Sequence, residues 1–335
     1  MEKIKKYLIA FIILIFTVAV FTGCSGAGEK QNADEIDEIN EDRIKIVATI
    51  FPAFDIARHV AGINADVEML IPPGSEVHSF KPAEKDIKEA AGADLLIYNG
   101  GKIDAWAQEV IDEADERLNS IAMIDAADIS GSETQAPVKE GEDAKSEEST
   151  DEKDENFSER IQDEHVWTSP QNVMKITEKV CESLCEMDPD NAPLYETNAE
   201  IYIAELQVLD EDFRSITDTA GRKTVAFADR CPTAYFANEY GLACISPFAG
   251  CNGETEPNEQ KVGLLTDMVK NENIPVVFYI EFSSRETADE ICDKTGAKQL
   301  LFHSCHNISE EEFESGETYT TLMRANLEKL KEALN

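Results

Sequence analysis

Five histidines are spread along this 335-residue chain, at positions 59, 78, 165, 303 and 306. Four share a placement. His78, His165, His303 and His306 each lie at or just past the end of a predicted strand, or where the chain re-enters regular structure from a loop. Taken singly, a histidine is more often a hydrogen-bonded structural residue than a ligand, and His59, inside a predicted helix beside Arg58, reads as a surface residue. Four at equivalent edges point to metal binding. Neutral imidazole is the commonest ligand for zinc and its neighbours, and carboxylates complete such sites. Asp229 ends the run "TVAFAD" and Glu281 ends "IPVVFYIE". Glu281 follows a run patterned for burial on both faces, where an acidic side chain is rarely casual. It either ligates directly or supports a ligand from behind.

The elements that position these residues alternate. "RIKIVATIFP", "ADVEMLIPP", "DLLIYNGG" and "SIAMIDAAD" read as strands, separated by the helical segments "AFDIARHVAG", "PAEKDIKEAAGA" and "DAWAQEVIDEADERL". A second series follows Gly221, with strands "KTVAFAD", "LACISPFAG", "IPVVFYIE" and "AKQLLFHS" and helices between them. Such alternation predicts an α/β fold with mainly parallel sheets, whose sites lie in loops beyond the strand C-termini. His78 sits in "IPPGSEVHSFKPAEKDI", where Pro72, Pro73 and Gly74 stop a strand and the turn presents the ring at that edge. The chain reads as two α/β lobes flanked by helices, 43–187 and 219–335. One long helix at 188–218 joins them, and the site is in the cleft between them. Residues 131–164 carry thirteen acidic residues against four basic ones and are expected to be a disordered acidic insertion.

A formal charge of −38 argues against nucleic acid as a partner, because phosphate binding needs a basic face. The N-terminus "MEKIKKYLIAFIILIFTVAVFTGCSG" has a basic start, an apolar run and small residues before Cys24, which is the pattern of an export signal. The cysteine placement resembles a bacterial lipobox. Residues 1–23 would then be a signal peptide, Cys24 the lipidated first residue and 24–42 a flexible tether. A signal-anchor helix is the alternative. Beyond Cys24, seven cysteines leave at least one thiol unpaired, and no CxxC pair supports a zinc ribbon. Cys181 and Cys185 stand at helical i, i+4 spacing and read as small buried apolar groups.

Several fragments resemble the solute-binding lipoproteins of bacterial ABC importers for zinc and manganese, the zinc-uptake or adhesin-like cluster. "VHSFKPAEKDI" resembles that family's first-ligand motif and "DEHVWTSP" its second. "MDPDNAPLYETNAEIYIAEL" resembles the start of its connecting helix, and "YFANEYGL", "GETEPN" and "FYIEFSS…TGAKQLLFHS" its C-terminal landmarks. The resemblance covers Arg43 to Leu334 and implies that His78 and His165 are the N-lobe ligands. The family's usual His-Asp pair is here Ala228-Asp229, so Asp229 would be an oxygen ligand or a lost position. The last family ligand falls best on His303, with His306 in reserve. Cys251 and Cys305 flank this region and are expected to pair. A thiolate ligand from Cys231 or Cys305 is the lesser alternative. The acidic insertion stands where many members carry a histidine-rich loop, but it holds no histidine.

The resemblance implies a binding protein rather than an enzyme. It would be a monomer, lipid-anchored on the outer face of the cell membrane, capturing Zn2+ and passing it to an ABC permease. The expected metal set is His78, His165, His303, Asp229 and Glu281. Imidazole-rich ligation favours zinc, with Mn2+ the alternative if two carboxylates join. Proton competition is expected as pH drops through about 6.5. A zinc-dependent hydrolase with Glu281 as base is the competing reading, although no His-Glu-x-x-His or nucleophile elbow is present. An organic-solute binder is a third; Trp106 and Trp167 are the only tryptophans for such a pocket.

Overall fold

The computed structural model describes residues 43–130, 163–231, 234–248 and 258–335. The export signal, Cys24, the tether and Cys251 lie outside the described residues. The N-terminal lobe is built from β1 (Ile44–Ala48), α1 (Phe51–Ala61), β2 (Ala65–Met69), α2 (Glu84–Ala91), β3 (Leu95–Tyr98), α3 (Ala107–Glu113), β4 (Asn119–Ala122) and the single turn α4 (Met123–Ala126). Then come α5 (Pro170–Met187) and the long α6 (Ala192–Thr219). The C-terminal lobe contains β5 (Thr224–Phe227), α7 (Ala234–Glu239), β6 (Ala243–Ile245), α8 (Glu259–Asn271), β7 (Val276–Tyr279), α9 (Glu286–Thr295), β8 (Lys298–Leu301), α10 (Glu310–Ser315) and α11 (Tyr319–Leu334).

Each lobe has one four-stranded sheet, in the orders β2-β1-β3-β4 and β6-β5-β7-β8, and every pairing is parallel. Parallel strands need crossover helices and are covered on both faces. This is why Leu95, Leu96 and Ile97 form a continuous buried run rather than an alternating one. Both sheets reverse direction at their second strand, so the loops after β1 and β3, and after β5 and β7, open into a crevice.

The largest apolar cluster runs through both lobes and the helices between them, with a smaller one in each lobe on the other side of its sheet. It joins Phe51 and Ile56 of α1, Val173 and Ile176 of α5, Tyr202, Leu206 and Phe213 of α6, and Leu327 and Leu330 of α11. α6 has 28 residues and is about 42 Å long at 1.5 Å per residue. Its buried Tyr202 donates to the buried Asp55 of α1 at 2.9 Å, and its Asn198 donates to Val60 O at 3.0 Å, so the rod is fixed along the N-terminal lobe.

Three expectations need correction here. His59 is not a plain surface residue: its ring stacks on Tyr202 at 4.1 Å and its Nδ1 lies 2.7 Å from Asp55 O. The helix expected over "DAWAQEVIDEADERL" shortens to Ala107–Glu113, because Ala114 turns to an extended conformation and ends it. α10, within "SEEEFESG", was not anticipated; Ser309 and Glu312 form a reciprocal capping box and Gly316 closes it at φ 79°.

The disulfide is also elsewhere than expected. Cys231 bonds Cys244, while Cys305 is a buried free thiol and therefore does not pair with Cys251. The Cys305 backbone runs at φ 59°, in a loop packed against Trp167 and Asn326, which holds the thiol in the core. Cys181 and Cys185 lie on α5 with their sulfurs 3.9 Å apart, half-buried against the core.

Candidate metal centre

His78 is carried by a single 3-10 turn, Val77–Ser79, just past the "IPPGS" turn; the Glu76 carboxylate accepts from its backbone N–H at 3.1 Å. The turn is braced from behind by Phe80, whose ring lies 5.9 Å from that of Trp106. His165 introduces a second 3-10 turn, Val166–Thr168, and Ser169 then caps α5 by accepting from Asn172 N. His306 comes from the loop after β8, where the left-handed backbone at Cys305 turns the chain so that residue 306 faces the N-terminal lobe.

These three rings form the centre. One nitrogen from each of His78, His165 and His306 lies within 4.8 Å of the others, and among the described residues this is the one group of three potential ligands so arranged. His78 Nε2 and His306 Nε2 are 3.3 Å apart. The ring centroids of His165 and His306 are separated by 4.6 Å.

The opposite nitrogens are held by the protein. His165 Nδ1 pairs with Asp163 Oδ1 at 2.5 Å, and the same oxygen accepts from His165 N at 2.8 Å. Burial would raise the Asp163 carboxyl, but the His165 ring and amide outweigh it and hold it below its ordinary value. His306 Nδ1 pairs with Ser304 Oγ, which in turn meets Glu281 Oε1; Glu281 Oε2 accepts from Ser304 N at 2.7 Å. With Nδ1 engaged in both residues, Nε2 is presented to the cluster, the tautomer a cationic ligand needs. Burial above all, then the neighbouring His165 ring, pushes His78 down to about 4, and burial drives His306 well below its ordinary range. His78 and His306 are therefore held neutral at pH 7, and proton competition at these two rings lies below the expected 6.5.

His303 is not part of the group. Its backbone N–H donates to Asn326 Oδ1 at 2.8 Å, its carbonyl accepts from Asn326 Nδ2 at 2.8 Å, and its Nδ1 accepts from Cys305 N at 3.0 Å. Those bonds turn the ring into the lobe, 3.8 Å from Glu281 Oε1 and 3.7 Å from Glu312 Oε2, and the reserve candidate His306 takes the cleft position. Asp229 is not in the group either. Its Oδ2 accepts from Ile280 N at 2.9 Å and its carbonyl from Ser246 Oγ at 2.7 Å, so it ties the loops after β5 and β7 together. Glu281 is one hydroxyl removed from the cluster and acts on His306 through Ser304.

The acidic residues that close the insertion are not disordered. Asp163 and Glu164 are only 6% and 3% exposed. Glu164 Oε2 accepts from Lys102 N at 2.5 Å and Ile103 N at 3.0 Å, and Asn99 Nδ2 donates to Glu164 O at 3.0 Å. Asn99 N and Gly100 N both donate to the buried Asp104, which also accepts from Thr49 Oγ1 at 2.7 Å. Burial lifts Asp104 to about 6. This network fills the crevice between β1 and β3 and fixes the segment leading into His165. The sequence signal for Asp163 was its place two residues before a histidine, and it was masked by the acidic run upstream.

Beside the rings lies a cavity of about 30 Å³ lined by Ser75, Glu76, His78, Arg230, Glu281, His306 and their neighbours. It shares Glu76, Arg230, Ile280, Glu281 and Phe282 with a larger one of about 290 Å³ lined also by Asp229 and Ser283. The space at the rings is that of an ion or a water molecule.

Comparison with known proteins agrees with this geometry. The profile of the ZnuA family, described as zinc-uptake complex component A, periplasmic, matches residues 46–333. The high-affinity zinc uptake system protein ZnuA of Bacillus subtilis is 29% identical over 334 residues, 98% of each chain. The zinc-binding lipoprotein AdcA of Streptococcus pneumoniae is 27% identical over 290 residues, 87% of this chain but 56% of its own, so this chain spans about half of that relative. The crystal structure of the Zn(II)-bound ZnuA-like domain of the pneumococcal AdcA superposes with a TM-score of 0.69 at 26% identity, covering 87% of this chain and 99% of the other. The metal-dependent lipoprotein YcdH of Bacillus subtilis gives 0.70 at 27% identity, with coverages of 87% and 99%. With the family profile spanning both lobes and the interlobe histidines, this chain belongs to the ZnuA family of zinc-uptake components.

Proposed function

We propose that the protein captures Zn2+ between its lobes, holds it on the Nε2 atoms of His78, His165 and His306, and passes it to an ABC permease. The convergence of three imidazoles, one nitrogen of each within 4.8 Å of the others, carries this reading. Three nitrogens with a fourth place for water or a carboxylate suit tetrahedral zinc, and among the described residues no carboxylate oxygen joins the cluster, which disfavours Mn2+. Glu281 reaches His306 through Ser304, and its role is to hold that ring. Asp229 serves the fold beside the site rather than the metal. The family is one of solute-binding components rather than enzymes, so the hydrolase reading falls with it.

The export signal and Cys24 support delivery to the outer face of the membrane, with a lipid anchor at Cys24. Among the described residues no helix is long and apolar enough to cross a membrane. The test of the site is zinc calorimetry on the purified protein. One tight site is expected, weakened strongly in His78→Ala, His165→Ala and His306→Ala. Parent-like binding in all three variants overturns the assignment.

A further inference from the structure

The residue following the ligand His306 is Asn307, 1% exposed and yet placed at the wall of the mouth beside His78. Its side-chain amide spans the lobes. Asn307 Nδ2 donates to Pro72 O at 2.8 Å and to Ser75 O at 2.9 Å, two carbonyls of the turn that carries His78. Its Oδ1 is engaged at home, accepting from Ile308 N at 2.9 Å, which fixes the amide so that both N–H groups point across. A third bond runs the other way, from Gly74 N to Ile308 O at 2.7 Å. Gly74 has φ 79°, a conformation that suits glycine and aims its N–H at the partner loop.

The three ligands differ in access. His165 and His306 are 2% and 6% exposed, whereas His78 is only half-buried. On the far side of the rings the lobes are joined through buried groups: Trp167 Nε1 donates to Ser304 O at 3.0 Å, and Tyr319 Oη donates to Trp167 O at 2.8 Å. The cavity beside His78 continues into the larger one past Glu76, Arg230 and Phe282, and parting the lobes to widen it for an ion separates the 72–75 turn from the 306–308 loop. Separating those segments breaks the two Asn307 bonds and the Gly74 bond.

We propose that Asn307 is a positioning residue that clasps the mouth of the metal site and sets the rate at which the bound ion leaves. This rests on the interlobe histidines being the zinc site. The ion holds the two loops through His78 and His306, and Asn307 holds the same loops through the backbone, so each makes the other harder to release. Loss of two hydrogen bonds of ordinary strength corresponds to roughly tenfold faster release or more.

The test uses Asn307→Asp, which keeps the shape and the bond from Ile308 N but loses both donors, and Asn307→Ser, which shortens the side chain. Zinc release into excess chelator is followed by stopped flow on the purified protein. Both variants should release about ten times faster or more, with the association rate, the spectrum of the Co2+-substituted site and the melting temperature of the zinc-free protein close to parent. A parent-like release rate in both overturns the clasp, as does an altered Co2+ spectrum, which would place Asn307 in shaping the ligand sphere. In the parent itself, the Gly74 amide should be protected from hydrogen exchange with zinc bound and lose protection when zinc is removed; protection independent of zinc also overturns it. A parent that does not bind zinc refutes the metal site rather than the clasp.

Discussion

His78 and His306 meet Nε2 to Nε2 at 3.3 Å although 228 residues separate them in the chain. That spacing allows a hydrogen bond between two neutral imidazoles and also suits two nitrogens on one cation, the reading proposed above. His303, three residues earlier than His306, faces the opposite way. His306→Ala should therefore weaken zinc binding by about 100-fold or more, the scale at which a ligand or its direct support acts. His303→Ala should leave affinity within a few-fold while lowering thermal stability, because Cys305 N loses its Nδ1 acceptor and Glu281 and Glu312 lose the neighbouring ring. Titration with a competing zinc indicator compares the two; equal losses would return His303 to the ligand set.

The relay from Glu281 through Ser304 to His306 predicts a graded effect. Ser304→Ala leaves the His306 Nδ1 without its hydroxyl partner and should cost about 10- to 100-fold in zinc affinity. Glu281→Gln keeps the hydrogen-bond geometry with less charge and should cost less. If Glu281→Gln costs as much as His306→Ala, the carboxylate ligates the ion directly.

Saturating zinc should also stabilise the fold. At 100 times the dissociation constant the gain is about 2.7 kcal/mol, and it should vanish on chelation and in His306→Ala. Calorimetric melting with and without zinc measures this, and a ligand-independent transition in the parent would contradict an interlobe site.

Glu239 gives a pH dependence away from the metal. Its carboxylate meets Ser169, the cap of α5, and pairs with Arg214 of α6 at 2.9 Å, with Asp210 beside it. Burial first, and then Asp210, raises it to about 7 against the opposing Ser169 and Arg214. A carboxyl raised in the fold binds its proton more tightly there than when unfolded. Its contribution is present below about 4.5 and is lost as pH rises to about 7. Glu239→Gln should flatten that part of the stability profile, read from urea midpoints across pH 4 to 8. An unchanged slope would show that Glu239 is ionised in the fold.

The Cys231–Cys244 bond closes a separation of 13 residues. A loop of that size is worth about 3 kcal/mol. Cys244→Ser should lower the denaturation midpoint accordingly and leave Cys305 unreactive to thiol reagents until the protein unfolds. A new Cys251–Cys305 link in the oxidised variant would show instead that the pairing is exchangeable.

The alternation of strands and helices was legible from the sequence because short apolar runs such as Leu95–Tyr98 and Val276–Tyr279 stand between helical segments and turns. The edges of the sheets follow from that pattern, and so does the place of His78. What periodicity does not encode is the direction of a ring within a loop. "FHSCH" offers two imidazoles three residues apart, and the choice between them depends on the left-handed turn at Cys305 and on Asn326, 23 residues further along. Asp163 and Glu164 were hidden for the opposite reason. Their composition matched the acidic stretch before them, and only the Asn99 and Lys102 amides across the crevice show that they are fixed.

That anchoring has a consequence for how the chain tolerates change. Tyr235 Oη donates to Asp163 O at 2.7 Å and Asn99 Nδ2 donates to Glu164 O, so the two residues before His165 are each gripped by their backbone carbonyl from a different lobe. A substitution at Asn99 or Tyr235 therefore reaches the ligand through the main chain, and the two lobes share the task of aiming a histidine that only one of them carries.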